Sequence, residues 1–207
     1  KMTSLEAYKE RADSEQKAIY YIIGENEKVL RSSPLLESYN KNNIEVLILD
    51  DKEIDEIITP TMGAYKDWEF KDITACEPPK VEQSEEEKKE VETKFEQITK
   101  KIKDKLGDAV KDVRVTNRLS ESPSCVVKDV ADAQMAQMAH LFRQMGQAMP
   151  ESAPILEINP EHEIVKKLNG CPDESTIEDV SWILLDQAKL SEGMEITDTV
   201  AFAKRLS

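Results

Sequence analysis

Glycine is scarce in this chain. Six glycines occur in 207 residues, at positions 24, 63, 107, 146, 170 and 193, and no two lie within twenty residues of each other. Neither GxGxxG nor GxxxxGK(S/T) can be built from that spacing, so the common phosphate-cradling loops are excluded, as is a GxSxG nucleophile elbow. Three cysteines, Cys76, Cys125 and Cys171, are too few and too far apart for a disulfide framework. With only His140 and His162 beside them there is no zinc-binding set, and reduced thiols in a cytoplasmic protein are the simplest reading. Aromatics amount to 5%. No apolar run approaches the roughly 18 residues of a membrane span, and no basic-then-apolar opening marks a signal peptide. Positive charge is also in deficit: 28 Lys and Arg against 42 Asp and Glu leave a net charge of −14, which excludes nucleic-acid binding as a main task.

What remains is a charged composition, 34% Asp, Glu, Lys and Arg with 39% hydrophobic residues, suited to one large or two small domains rich in helix. The first third alternates. Ala18–Ile23 is a β-branched and aromatic run closed by Gly24, which reads as a buried strand. A helical stretch from about Glu25 carries Val29, Leu30, Leu35, Leu36 and Tyr39, with a break allowed at Pro34. Ile44–Leu49 is a second strand, ended by Asp50 and Asp51. Ile54, Ile57, Ile58 and Met62 recur at helical spacing, and Trp68–Ile73 is a third strand. This order predicts a small parallel sheet with helical cover, an α/β/α sandwich.

Pro78-Pro79 and the acidic run from Glu82 place a domain boundary near residue 80, giving domains 1–80 and 81–207. Ser84-Glu85-Glu86-Glu87 reads as a capping box opening a helix to Leu106, with Val91, Phe95, Ile98, Ile102 and Leu106 on one stripe. Val110–Leu119 alternates as a strand, with Ser124–Lys128 as its hairpin partner. A helix over 131–149 and a strand at Ile155–Ile158 follow. Asn159-Pro160 supplies an N-cap and a first-turn proline for a short helix ending at Gly170. Ser175-Thr176-Ile177-Glu178 opens a helix stopped by Gly193, and Thr197 or Asp198 caps a last helix to Leu206. The second domain is therefore mixed α+β, ending in helices.

Two stretches stand out. Ala131, Met135, Met138, Phe142, Met145 and Met149 share one helical face, and four of the chain's seven methionines lie on it. Methionine is flexible and polarizable, suited to surfaces that accept varied apolar partners. A core stripe against a neighbouring sheet is the alternative. The two terminal helices form the other stretch. Ile177, Val180, Trp182, Leu184, Leu185 and Ala188 make the first of them apolar over more than one face, and Val200, Phe202, Ala203 and Leu206 line the second. Either they fold back on the domain or they pair with a second copy as a dimeric four-helix bundle. Catalytic constellations are weak. Neither histidine has a local nucleophile or metal partner, and carboxylate pairs such as Asp50-Asp51 are unspecific in so acidic a chain.

The chain resembles the heat-shock protein 90 family, most closely its bacterial cytosolic members. The resemblance rests on Lys17-Ala18-Ile19-Tyr20-Tyr21-Ile22, Ser32-Ser33-Pro34, Glu45-Val46-Leu47 with Ile54-Asp55-Glu56, Val115-Thr116-Asn117-Arg118-Leu119 with Ser122-Pro123, and Glu157-Ile158-Asn159-Pro160, in family order across nearly the whole chain. It implies the last part of a chaperone middle domain followed by the C-terminal dimerization domain. It implies that the ATP and magnesium site lies in an absent N-terminal domain, so that this fragment binds no cofactor and is not itself an enzyme. It also implies client contacts at Met135, Met138, Leu141, Phe142, Met145 and Met149, and at Glu56 and Ile57, where the family usually has an aromatic after its Ile-Asp-Glu. The terminal helices match the family's homodimer interface, and non-native proteins are the implied partners, with no nucleic acid or membrane. The ending at Ser207 lacks an acidic Met-Glu-Glu-Val-Asp tail and a Lys-Asp-Glu-Leu signal, as expected of a bacterial protein. Two readings from other classes compete: a small α/β metabolic enzyme using a carboxylate pair, and an oligomerization scaffold with no client grip.

Overall fold

A computed structural model describes residues 2–78, 85–129 and 152–207. Among these, helices and two small sheets form a mixed α+β protein.

The first sheet has the strand order β2-β1-β4-β3. Strand β1 (Ala18–Ile23) lies between β2 (Val46–Leu49) and β4 (Trp68–Asp72) and runs parallel to both. Five of its six residues are buried, as a strand covered on both faces requires, and this is why its sequence is a continuous apolar run without alternation. The two-residue β3 (Ala64–Tyr65) pairs antiparallel with β4 at the edge, an addition the sequence did not announce. Tyr8, on α1 (Leu5–Arg11), is fully buried. Its hydroxyl donates to Glu45 O at 2.8 Å and accepts from Gln16 Nε2 and Tyr20 N, which ties α1 to the sheet. The stretch expected to be helical with a break at Pro34 is three pieces: α2 (Glu27–Arg31), a 3-10 turn at Pro34–Leu36 and α3 (Glu37–Lys41). Asn43, at φ 54°, makes the left-handed turn into β2 that asparagine tolerates. Next comes α4 (Lys52–Met62), ended by Gly63 at φ 62°.

In the second part, α5 (Glu85–Leu106) buries Phe95, Ile98, Ile102 and Leu106, the stripe expected from spacing, and Gly107 turns the chain at φ 51°. The strands are β5 (Asp112–Val115), β6 (Ser124–Val127) and β7 (Ile155–Ile158), in the order β5-β7-β6. The expected β5–β6 hairpin does not form: β7 inserts between them, parallel to β5 and antiparallel to β6. The strand is also shorter than Val110–Leu119. Past Val115 the chain leaves the sheet so that Arg118 and Leu119 can turn into the interior, where both are buried.

Helices α6 (Glu163–Asn169), α7 (Glu174–Ser191) and α8 (Thr199–Leu206) complete the fold. Two of the expected caps move. His162, not Asn159, caps α6, with its Nδ1 accepting from Ile164 N at 3.2 Å. Asn159 is used otherwise: its amide donates to Ser122 O and its oxygen accepts from Glu161 N. Asp173 caps α7 through Thr176 N at 2.8 Å, because a carboxylate two residues ahead of Ser175 reaches the open amides first. At the other end of α7, Gly193 at φ 72° closes a Schellman turn, with Gly193 N bonded to Leu190 O and Met194 N to Lys189 O. Asp198 caps α8, as expected.

The second sheet is a wall between two cores. Val126, Leu156 and Ile158 face the cluster built by α5, α6 and α7. Cys125, Val127 and Ile155 face the cluster built by Tyr20, Leu35, Leu36 and Tyr39 of the first part. Alternation along β6 thus feeds both cores, which explains why all four of its residues are buried.

Candidate binding surfaces

Helix α4 is folded by acids at its start. Glu53 and Asp55 stand in its first turn, where the exposed amides favour negative charge, and Asp51 N donates to Asp55 Oδ2 at 3.2 Å. Its apolar residues do not cover the sheet as the periodicity led one to expect. Ile54, Ile57, Ile58 and Met62 are 42–50% exposed, whereas Thr59 is buried. The stripe at Ile54, Ile57, Ile58 and Met62 therefore points outward, with the exposed Glu56 beside it. Of the predicted client residues, Glu56 and Ile57 lie on this surface. Ile54, Ile58 and Met62 join them there, and the helical spacing that singled them out said nothing about which way they faced.

The terminal helices divide their predicted interface residues into two sets. Ile177, Leu184, Leu185 and Ala188 are all within 1% of complete burial and belong to the core with Phe95 and Leu156. As placed, they cannot gain contact with a second chain. Val180, Trp182 and Phe202 are half-buried, Ala203 is exposed, and Val200 and Leu206 are 79% and 60% exposed. These six form the accessible part of the α7–α8 surface. Arg205 fastens α8 to α7: its guanidinium lies over the Trp182 ring at 5.1 Å, 3.7 Å from Asp179 and 4.0 Å from Asp186. Burial holds the Asp186 carboxyl above its ordinary value, against the pull of Lys189 and Arg205.

The methionine-lined stretch with Met135, Met138, Leu141, Phe142, Met145 and Met149 lies outside the described residues, as does His140. Among the described residues no group of His, Cys, Asp and Glu is placed to hold a metal ion, and no helix is long and apolar enough to cross a membrane.

Chemistry at the remaining candidates is quiet. Asp50 and Asp51 line an open depression of about 560 Å3 with Glu25, Lys52 and Glu53, and every one of these residues is exposed. Exposed acids in water are poor candidates for tuned proton transfer. Cys125 is fully buried, and burial, reinforced by the nearby Glu157 charge, pushes its thiol well above the ordinary value, so it remains an inert thiol. Burial also raises Cys76, whose Sγ lies 3.4 Å from Tyr39 Oη. Sequence reasoning missed a buried charge cluster. Glu157, 1% exposed, accepts from Arg114 Nε and Nη2 at 2.9 and 2.6 Å, and Arg118 Nε lies 2.6 Å from its Oε2 as an ion pair without hydrogen-bond geometry. Arg118 is itself buried and reaches Ile73 O and Cys76 O, across to the first part of the chain. A glutamate in a strand of otherwise apolar residues was the only available signal.

The comparisons with known proteins cover the same residues. The family model described as Hsp90 protein matches residues 1–207. The chain belongs to the Hsp90 family. Among its relatives, the chaperone protein HtpG of Aliarcobacter butzleri (strain RM4018) is 88% identical over 207 residues, 100% of this chain and 32% of that protein. The protein of the same name from Sulfurovum sp. (strain NBC37-1) is 59% identical over 206 residues, 100% of this chain and 33% of its own length. The one from Campylobacter jejuni subsp. jejuni is 45% identical over 206 residues, 100% of this chain and 32% of its own length. The chain thus spans about a third of the length of these curated relatives. Family membership leaves the carboxylate-pair enzyme without support.

Proposed function

We propose that this chain is the client-gripping and dimerizing part of an ATP-dependent cytoplasmic chaperone. Residues 1–80 act as the end of a middle domain, a small sandwich, and residues 81–207 as the C-terminal dimerization domain. ATP and magnesium act elsewhere in the parent protein, and the fragment alone does not turn over ATP. The carrying observation is the Hsp90 match over residues 1–207, coupled with the outward apolar stripe of α4.

Half-exposed isoleucines are held in water at a free-energy cost that a non-native segment relieves by covering them, on the order of 1 kcal/mol each. The methionine-lined residues Met135, Met138, Leu141, Phe142, Met145 and Met149 would add a second adaptable surface, and Glu56 and Ile57 belong to the first. Dimerization through Val180, Trp182, Val200, Phe202, Ala203 and Leu206 would place two such arms side by side, so that weak contacts add by avidity. In such a dimer α7 and α8 of each copy form a four-helix bundle.

Two measurements test this reading. Light scattering under dilution should give about twice 23.5 kDa, and a constant 23.5 kDa at high concentration would remove the dimer. Suppression of model-client aggregation should fall when Ile57 and Ile58, or Met138 and Phe142, are changed to serine. If suppression is unchanged while the dimer persists, the chain is an oligomerization scaffold and the client surfaces are wrongly assigned.

A further inference from the structure

Two carboxylates cross the seam between residues 2–78 and the second sheet, and both are held by directional bonds. Glu37, on α3, accepts from three successive backbone amides of the loop before β6: Ser120 N at 2.6 Å and Glu121 N at 2.9 Å on Oε2, and Ser122 N at 3.1 Å on Oε1. Ser120 Oγ adds a bond at 3.3 Å. Converging consecutive amides make an anion nest, here filled by the chain's own side chain. On the other side of the seam Glu192, at the C-terminal end of α7, accepts from Ser33 Oγ at 2.7 Å. The same Ser33 oxygen accepts from Leu35 N, so its proton is free for Glu192. Between the two contacts lies the shared core of Leu35, Leu36, Leu119, Cys125 and Val127. Apolar packing alone has no fixed direction and permits sliding, whereas these bonds, together with those of Arg118 to Ile73 O and Cys76 O and of Lys128 N to Thr74 O, fix the relative position of the two parts.

We propose that Glu37 and Glu192 are two pins of a latch that locks residues 2–78 onto the second part of the chain, and that the seam at Glu192 becomes harder to open as the medium acidifies through neutrality. The pins differ electrostatically. Burial works to raise the Glu37 carboxyl, but bonds from the Ser122 side chain and the three amides outweigh it and hold the group below its ordinary value, an anion at any pH near 7. Burial, opposed by the bond from Ser33 and by Lys128 and aided by Asp72, leaves the Glu192 carboxyl raised to about 7. The groups around it are Asp72 at the end of β4, Lys128 and Cys125 on and after β6, Ser33, and Lys189 one turn back on α7. Ionised, Glu192 is a poorly solvated charge at the seam that the bond from Ser33 only partly offsets; protonated, it still accepts from Ser33, more weakly, and loses the larger desolvation penalty. The inference concerns how the two parts are joined and does not depend on the chaperone reading.

Hydrogen exchange on the whole chain tests it. Lys128 N donates to Thr74 O at 2.8 Å directly across the seam and serves as the reporter. Glu37→Ala should speed exchange about tenfold or more at Ser120, Glu121 and Ser122, and at least threefold at Lys128 if the pin acts across the seam. Acceleration confined to 120–122 would make Glu37 a local cap and overturn the latch. Glu37→Gln, which keeps one acceptor, gives the same comparison if the alanine variant does not fold. In the unaltered chain, Lys128 protection, corrected for intrinsic rates, should rise at least threefold from pH 8 to pH 6. In Glu192→Gln that rise should vanish. A rise that survives in Glu192→Gln, or no rise in the unaltered chain, refutes the acid-tightened pin.

Discussion

Changing Glu157 to glutamine should destabilise the chain by about 3–5 kcal/mol, the usual result of removing one partner from a buried ion pair. The structure argues for the full range. Glu157 and Arg118 side chains are each 2% exposed, so Arg118 cannot recover water when its counter-charge is lost. Arg114, 43% exposed on its side chain, can turn outward and adds little. Arg118 would keep only long bonds to Ile73 O and Cys76 O, at 3.4 and 3.3 Å. Urea unfolding followed by circular dichroism measures the change, and the corresponding fall in Tm is on the order of 10 °C for a chain this size. The comparison that isolates the cause is the double variant Glu157→Leu with Arg118→Met. Without a stranded charge it should lose less than Glu157→Gln alone. If Glu157→Gln loses under 1 kcal/mol, or the double variant loses more than the single, the buried charge is not what holds this junction.

Leu185→Ala should lose about 2–5 kcal/mol of unfolding free energy, because its side chain is fully buried inside one chain. Val200→Ser, 79% exposed, should leave unfolding of the single chain within about 0.5 kcal/mol and act only on self-association, read by sedimentation. Ile54→Ser with Ile58→Ser should leave Tm nearly unchanged while reducing client protection, which separates an outward surface from a core. Because the Glu192 pKa is raised in the fold, to about 7 from 4.5, the folded chain binds the extra proton between those values. Its contribution is therefore full below about pH 4.5 and declines as pH rises to about 7, by on the order of 3 kcal/mol. Glu192→Gln should flatten that part of the pH–stability curve measured by denaturant titration.

Local patterns set most of the elements, because their causes are local. The apolar run Ala18–Ile23, the stripe from Phe95 to Leu106, the Gly193 stop and the Asp198 cap each depend on neighbours within a few residues, and they stand where the sequence put them. Motifs spread in order along the chain also sufficed to reveal the family. Facing and pairing were different. The insertion of β7 between β5 and β6 depends on strands about thirty to forty residues apart, and no pattern within one strand encodes its neighbour. A stripe such as Ile54, Ile57, Ile58 and Met62 shows which residues share a side; whether that side meets a sheet or water depends on how the helix docks. The apolar residues of α7 likewise divided into core and surface only when α5 and the second sheet closed over Ile177, Leu184 and Leu185. The joints that hold the parts together, Glu157 with Arg118 and Glu37 with the Ser120–Ser122 amides, pair residues 39 to 85 positions apart. Charge and hydrogen bonding act through space, so such contacts exist only once the chain has folded.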